Sequence, residues 1–553
     1  MAEIEANIAS QQKKSWWLPS AFGATLAIVV LSTTFVIHIK ADDIWWHLRT
    51  GEYIWSTWTM PDLNIFSFTA PEHAWLPHEW LSEVVFYGLY QGFGYRGLIL
   101  LGILLNAIAC GLVYRLTERY SRSPYLSAII TLLAGLMMLG NFSLRPYLFG
   151  NLFFIASLHA MEEPSAGGRL RPVLIFLLFS AWANFHGSFI IGLALIMLYM
   201  AASMATHLRG PKRSWAPTRA LALDLVVAVV ACTATPHHIY GLIFPFEYLE
   251  NALTGKVSYL TNISEWQSAG LESPLGRMIT FYAMFCMFAI VGSGVAPTPV
   301  HLGLLVAFTL FSFPTIRNIP LLGIAATPVL ARHLPKALSR MKRLLGTGTR
   351  AARAIEDFHA TSVTLDRRSR KILLSAGVGL MLGAMFLAPP ASRVSYASMT
   401  GVHKLADLSP GFYPEGLMAE LRRRGPGQRV FNYFNWGGAF IWSLHPDVPV
   451  FIDQRNDCYP MEVFLDYFAV HELKRDWRFV LDRWEIDAIA YPPAEELSQA
   501  LRNDIDWIVD WEDRQSVLFV REAPAPWAPE ATRSGQPESP ADGDEAQGSD
   551  QGR

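Results

Sequence analysis

Ionisable side chains gather in a short polar stretch, residues 41–83, that follows the first long apolar run: Asp42, Asp43, His47, His78 and Glu79. Carboxylates and imidazoles take up and release protons near neutral pH, and carboxylate oxygens also hold Mg²⁺ or Mn²⁺. Asp43, Glu79 and His78 are the set that could share such a cation. His47 follows Asp43 by four, which puts the two on one helical face, where each can orient the other. Asp42 and Asp43 equally suit the cap of a helix starting near Ile44, and Glu79 the first turn of a later one. Further along, Arg145 in LRPYL and Arg317 in TIRNIP each stand at the end of an apolar run. An arginine held in a cleft grips phosphate with its planar fork, whereas one at a bilayer surface snorkels to the headgroups. His186 in NFHGSF, beside Gly187, either closes a short hairpin or lines a cleft. His237, His238 and Glu265 belong to a second large polar loop, and Asp453, Arg455 and Asp457 in FIDQRNDCYP have the look of a polar turn after a buried strand.

The elements that must position these groups are apolar. The chain of 553 residues is 52% hydrophobic and only 17% charged, against roughly 25% charged in soluble domains, which excludes an ordinary cytosolic enzyme. A net charge of −2 excludes a nucleic-acid binder. Cys110, Cys232 and Cys286 fall in apolar runs and Cys458 stands apart, so neither a disulfide framework nor a zinc site is expected. Apolar stretches at 18–39, 97–114, 125–141, 147–160, 172–184, 188–205, 220–235, 276–292, 299–313, 319–332 and 372–389 predict about eleven membrane-spanning helices. Tryptophans 45, 46, 55, 58, 75 and 80 suit the headgroup level.

The charges between these stretches set an orientation. With residues 1–17 in the cytoplasm, four of the five inner connections are basic, and 333–371 alone carries ten lysines and arginines. The outer connections are then 40–96, 142–146, 185–187, 236–275 and 314–318, which together collect every polar group named so far from the first 332 residues. After Pro390 the pattern changes to short alternating strands and helices, VPVFIDQR and IDAIAYPP among them, predicting a small extracytoplasmic α/β domain over 390–522. Residues 523–553, rich in Pro, Gly, Ser and acids, read as a disordered tail.

The motif from Asp43 to Glu83, DIWWHLRTGEYI followed by FSFT and HEWLSE, together with LRPYLFGN at 144–151 and WANFHGSF at 182–189, resembles the glycosyltransferase C superfamily. That resemblance implies a polytopic inner-membrane helical fold, spanning 18–389, and transfer of a sugar from a polyprenyl-phosphate lipid to an extracytoplasmic lipid, glycan or protein acceptor. For a transfer of that kind the chemistry of the residues themselves points to Asp43 as the base, with Asp42 as rival and His47 beside it, Arg145, Arg317 and His186 on the donor phosphate, and His237, His238 and Glu265 on the acceptor side. The long C-terminal W-W-D signature of oligosaccharyltransferases is absent. A lipid-linked sugar transporter and a non-catalytic glycolipid-binding protein are the alternatives. A transporter calls for repeated halves or broken helices at the bilayer midplane, and neither is visible in the sequence.

Overall fold

Proline stands in the first turn of helix after helix, where its missing N–H costs nothing and its fixed φ suits the helix. Pro124, Pro172, Pro217, Pro274, Pro299, Pro320 and Pro328 all do this. A computed structural model of the chain describes residues 43–139, 143–163, 168–209, 215–254, 266–346 and 413–521, with a few single positions besides. The helices among them are α1 (Ile44–Thr57), α2 (Trp80–Ser121), α3 (Pro124–Met138), α4 (Tyr147–Glu162), α5 (Arg171–Phe185), α6 (Phe189–Arg209), α7 (Ala216–Cys232) and α8 (His238–Thr254). They continue with α9 (Pro274–Ser293), α10 (Pro299–Ser312), α11 (Ile319–Ala325) and α12 (Thr327–Leu345). Ser273 and Thr298 cap α9 and α10, each side-chain oxygen accepting a backbone N–H, from Gly276 at 2.9 Å and from His301 at 3.2 Å.

Nine of the eleven expected apolar stretches coincide with described helices; the first and last, 18–39 and 372–389, lie outside the described residues. Three helical segments, Gly97–Ser121, Phe189–Leu208 and Pro274–Ser293, are long and apolar enough to cross a membrane, and several of the others are shorter. The stretch 319–332 is two helices, parted at Ala326. Helix α2 runs for 42 residues but breaks direction at Gly94, whose φ of 60° and ψ of −154° suit a residue without a Cβ. Its polar first part and its apolar second part are thus separate arms.

The C-terminal unit has α13 (Glu415–Arg424), β1 (Val430–Asn432), α14 (Gly437–Leu444), α15 (Met461–His471) and α16 (Trp477–Arg483). It ends with β2 (Ala488–Tyr491), α17 (Glu496–Leu501), β3 (Trp507–Glu512) and β4 (Val517–Arg521). The sheet order is β1-β2-β4-β3, with β1 parallel to β2 and the other pairs antiparallel. This small α/β unit agrees with the sequence pattern, except that VPVFIDQR forms no strand of the sheet. Only Val450 pairs, bridging Val430 on one side and Ser67 on the other.

That bridge ties the C-terminal unit to residues 58–79. Val450 N–H donates to the Phe66 carbonyl at 3.1 Å, Phe68 N–H to the Val450 carbonyl at 3.2 Å, and the Thr69 hydroxyl to the Phe451 carbonyl at 2.6 Å. One apolar core holds Ile44, Trp45, Leu48, Phe66, Trp75 and Phe86 together with Phe431, Phe451 and Tyr467, and a second fills the helical bundle. Trp45 and Trp75 are therefore core residues rather than headgroup anchors, while Trp58 is 91% exposed and Trp55 half exposed. Residues 390–412 and 523–553 lie outside the described residues.

Candidate functional site

Polar side chains from seven separate elements come together where α1, α2 and α4 begin and α5 ends. Asp43 stands immediately before α1, makes no side-chain cap bond, and instead meets Arg145 with Nε to Oδ2 at 3.0 Å. In the first turns of α1 and α2, His47 and Glu83 face each other across the contact between the two helices, Nδ1 to Oε1 at 3.1 Å, both almost fully buried. Gly51 makes that approach feasible: a Cβ there would lie 2.7 Å from the Glu83 carbonyl carbon and 2.9 Å from Tyr87 Cβ.

Glu79, one turn before Glu83, is the centre of the group. His186 Nε2 lies 3.1 Å from its Oε1, His78 Nε2 3.7 Å from the same oxygen, and His47 Nε2 3.8 Å from Oε2. The His186 tautomer follows from its other nitrogen. Ser188 N–H donates to Nδ1 at 3.0 Å, so the ring proton sits on Nε2 and donates to Glu79. The Ser188 hydroxyl in turn accepts from Trp182 Nε1 at 3.0 Å, and Trp80 Nε1 and the Ser82 hydroxyl donate to Asn184 Oδ1 and the Phe185 carbonyl, fixing the start of α2 against the end of α5.

Burial governs the ionisation of this group. It raises the carboxyl pKa of Glu79, against the pull of His78 and Arg317, and raises that of Glu83 well above the usual range, with Glu79 adding to it. It holds His47 well below the ordinary imidazole value, helped by the Arg145 charge, and His186 likewise, helped by Arg317. Neutral imidazoles thus surround carboxyls that retain protons more readily than in water, the setting in which a proton is passed at little cost.

The C-terminal unit reaches into the same place. Asp457 Oδ2 stands 4.0 Å from His78 Nδ1, and neither atom has a hydrogen-bond partner among the described residues. Burial pushes the Asp457 carboxyl up to about 6. Its neighbour Arg455 does something different: fully buried, it is doubly bonded to Asp453 at 2.8 and 2.7 Å, donates to Asn64 Oδ1 at 2.9 Å, and lies over Phe66 and Trp75 at 4.8 and 4.6 Å. The motif FIDQRNDCYP is therefore a buried clamp on residues 64–75 rather than a solvated turn.

The other expected residues divide. Arg317, half-buried over the Trp266 ring at 5.6 Å, lowers the pKa of both Glu79 and His186 by its charge, so it faces the group without touching it. His237 is half-buried, and burial together with the His78 charge lowers its pKa; His238 is exposed and takes no part. Asp42 and Glu265 lie outside the described residues. Asp43, expected with Glu79 and His78 around a cation, meets Arg145, the histidines turn their nitrogens to Glu79, and among the described residues no three His, Cys, Asp or Glu side chains are grouped as for a metal ion. Glu83, Ser188 and Asp457 enter the group although nothing in their sequence surroundings assigns them to it. Spacing could have found only Glu83, four residues after Glu79 on the same helical face.

A largely helical chain thus carries an acid–histidine group at one end of its bundle, closed over by a small α/β unit. No protein-family model matches the sequence, and no curated protein matches it. Among solved structures, the chain is similar to the archaeal oligosaccharyltransferase AglB from Archaeoglobus fulgidus in complex with an inhibitory peptide and a dolichol-phosphate. Identity is 12%, the match covers 87% of this chain and 70% of that one, and the TM-score is 0.49.

Proposed function

We propose that the chain is a membrane glycosyltransferase that moves a sugar from a polyprenyl-phosphate carrier to an extracytoplasmic acceptor. The observation that carries this reading is the meeting of Asp43–Arg145 with the Glu79 carboxyl and its three histidines at one end of an apolar bundle. Transfer forms a bond between an acceptor oxygen and the anomeric carbon and breaks the bond from that carbon to the carrier phosphate. The acceptor loses a proton, and the phosphate leaves with the electron pair.

An aspartate held by an arginine is a weak base, because the guanidinium favours its charged form. Asp43 accordingly serves to hold Arg145, whose guanidinium charge meets the departing phosphate, with the Arg317 charge behind it. Glu79 is the better acceptor of the proton, since burial raises its pKa. The His186 bond orients it, and His47 relays towards Glu83. Asp457 and His237 border the side from which the acceptor enters.

The test is full-length protein reconstituted in bilayers with a panel of radiolabelled polyprenyl-phosphate sugars, following release of label and retention of the carrier. Glu79→Gln should lower release by about 10²–10⁴-fold, the usual contribution of a positioned acid–base group, and leave carrier retention intact. Arg145→Gln should weaken retention itself. No release from any donor, together with retention indifferent to Arg145, removes the reading.

A further inference from the structure

A second polar group lies at the other end of the same helices. Helix α4 starts beside Arg145 and ends at Glu162, and α5 starts at Arg171 and ends beside His186. Sixteen and fifteen residues at 1.5 Å each put the two ends about 22–24 Å apart. Around Glu162 and Arg171 opens a cavity of about 310 Å³, lined also by Tyr199, Asp224, His301 and Arg332.

Most of its polar atoms satisfy one another. Glu162 accepts from the hydroxyls of Tyr120 and Tyr199 and faces His301 Nε2 at 3.4 Å. Arg171 is buried: it grips Asp224 with contacts of 3.2, 3.0 and 2.8 Å and donates to the carbonyls of Ala160 and Glu163. Two atoms are left over. Among the described residues, His301, only 2% exposed, has no partner for Nδ1, and Arg332, half-buried, has none for Nε. A buried polar group without a partner costs free energy that a ligand recovers.

The leftover capacity defines the ligand. Arg332 offers a guanidinium edge to an anion, and arginine suits phosphate by its fork geometry. His301 Nδ1 completes the set: with Nε2 turned to the Glu162 carboxylate, it accepts from a hydroxyl. The mouth opens between α6 and α7 at Thr206, Pro217 and Ala220. The outer faces of these helices are apolar and exposed, at Met204, Leu208, Leu223 and Val226, which is where acyl chains lie against a spanning helix. We infer that this cavity binds a hydroxyl-bearing phosphate ester, the headgroup of a glycerophospholipid in the leaflet opposite the candidate site.

The probe is phosphatidylglycerol. Full-length protein, stripped of lipid in detergent, is exposed to phosphatidylglycerol, to phosphatidylcholine or to inorganic phosphate, and bound adducts are counted by native mass spectrometry. Wild-type chain should retain one phosphatidylglycerol in preference to phosphatidylcholine. Arg332→Gln should retain about tenfold less, the factor expected for one charge-assisted hydrogen bond, and Glu79→Gln should retain it normally. Ala220→Phe, which narrows the mouth at an exposed position, tests the same site without touching its polar groups and should also lower retention. Inorganic phosphate competing at equal concentration would make the ligand a soluble phosphate and overturn the lipid assignment. Retention unchanged in both Arg332→Gln and Ala220→Phe would overturn the site altogether.

Discussion

At the scale of single residues, the acid–histidine group differs from a surface cluster because burial, rather than pairing, sets most of its ionisation. Asp457 shows what this does to stability. Its carboxyl titrates at about 6 in the folded chain, against an ordinary aspartate value near 3.9 when unfolded. Between those values the folded chain holds the proton more tightly, so stability is full below about pH 4 and falls as pH rises through 6. The cost is on the order of 2–3 kcal/mol, two pKa units at about 1.4 kcal/mol each. Asp457→Asn should remove this fall, giving a chain whose denaturant midpoint is flatter than wild type between pH 4 and 7. Equal slopes in the two proteins would mean that Asp457 is solvated and stands outside the group. Little of this was visible in the sequence. Asp43, His47, Glu79, Arg145 and His186 could be singled out as polar groups in apolar surroundings, but not which carboxylate an arginine would occupy, because that depends on how two helix starts meet.

At the scale of elements, the group depends on α1 and α2 lying close enough for His47 to reach Glu83, and Gly51 is the residue that permits it. A methyl at that position would meet the Glu83 carbonyl oxygen and carbon and Tyr87 Cβ. Two of those are backbone atoms with nowhere to go, so α1 must slide or tilt. Gly51→Ala should therefore destabilise by about 1–3 kcal/mol, the usual cost of overpacking, and should lower transfer more than it lowers the melting temperature, since a shift of an ångström at α1 lengthens the bonds around Glu79. Melting curves and transfer rates measured on the same preparation check this; a stable variant with full activity would show that the α1–α2 distance does not matter. The helices themselves were legible as apolar runs opened by proline, which is local chemistry. The sequence puts the change from outer loop to span at 96/97, close to the break at Gly94, but with Gly88, Gly92, Gly94 and Gly97 all in the stretch it does not say which glycine turns the helix. Nor was the split at Ala326 legible, where both sides are equally apolar.

At the scale of the whole molecule, the C-terminal unit is part of the site rather than an appendage to it. Its core is continuous with that of α1 and the start of α2, and its Arg455 lies over the rings of Phe66 and Trp75, which pack edge to face against each other. The sequence showed the change from spanning runs to short strands, yet it could not show that FIDQRNDCYP turns inwards, since a solvated loop has the same composition. The clamp yields a test that separates docking from folding. Arg455→Met keeps the length and apolar stem of the side chain but leaves the Asp453 carboxylate buried without its cation, a change that costs about 3–5 kcal/mol when one partner of a buried pair is lost. The loss should appear as protease cleavage within 58–79 and as reduced transfer, because Asp457 two residues on is carried away from His78. Removing both charges in Asp453→Asn with Arg455→Met should recover most of the stability, since two neutral groups of similar volume no longer leave a charge in the core. If transfer returns along with stability, Arg455 acts by seating the unit. If stability returns and transfer does not, the Arg455 charge itself bears on the acid–histidine group, as its pull on the pKa of His47 and Glu83 indicates.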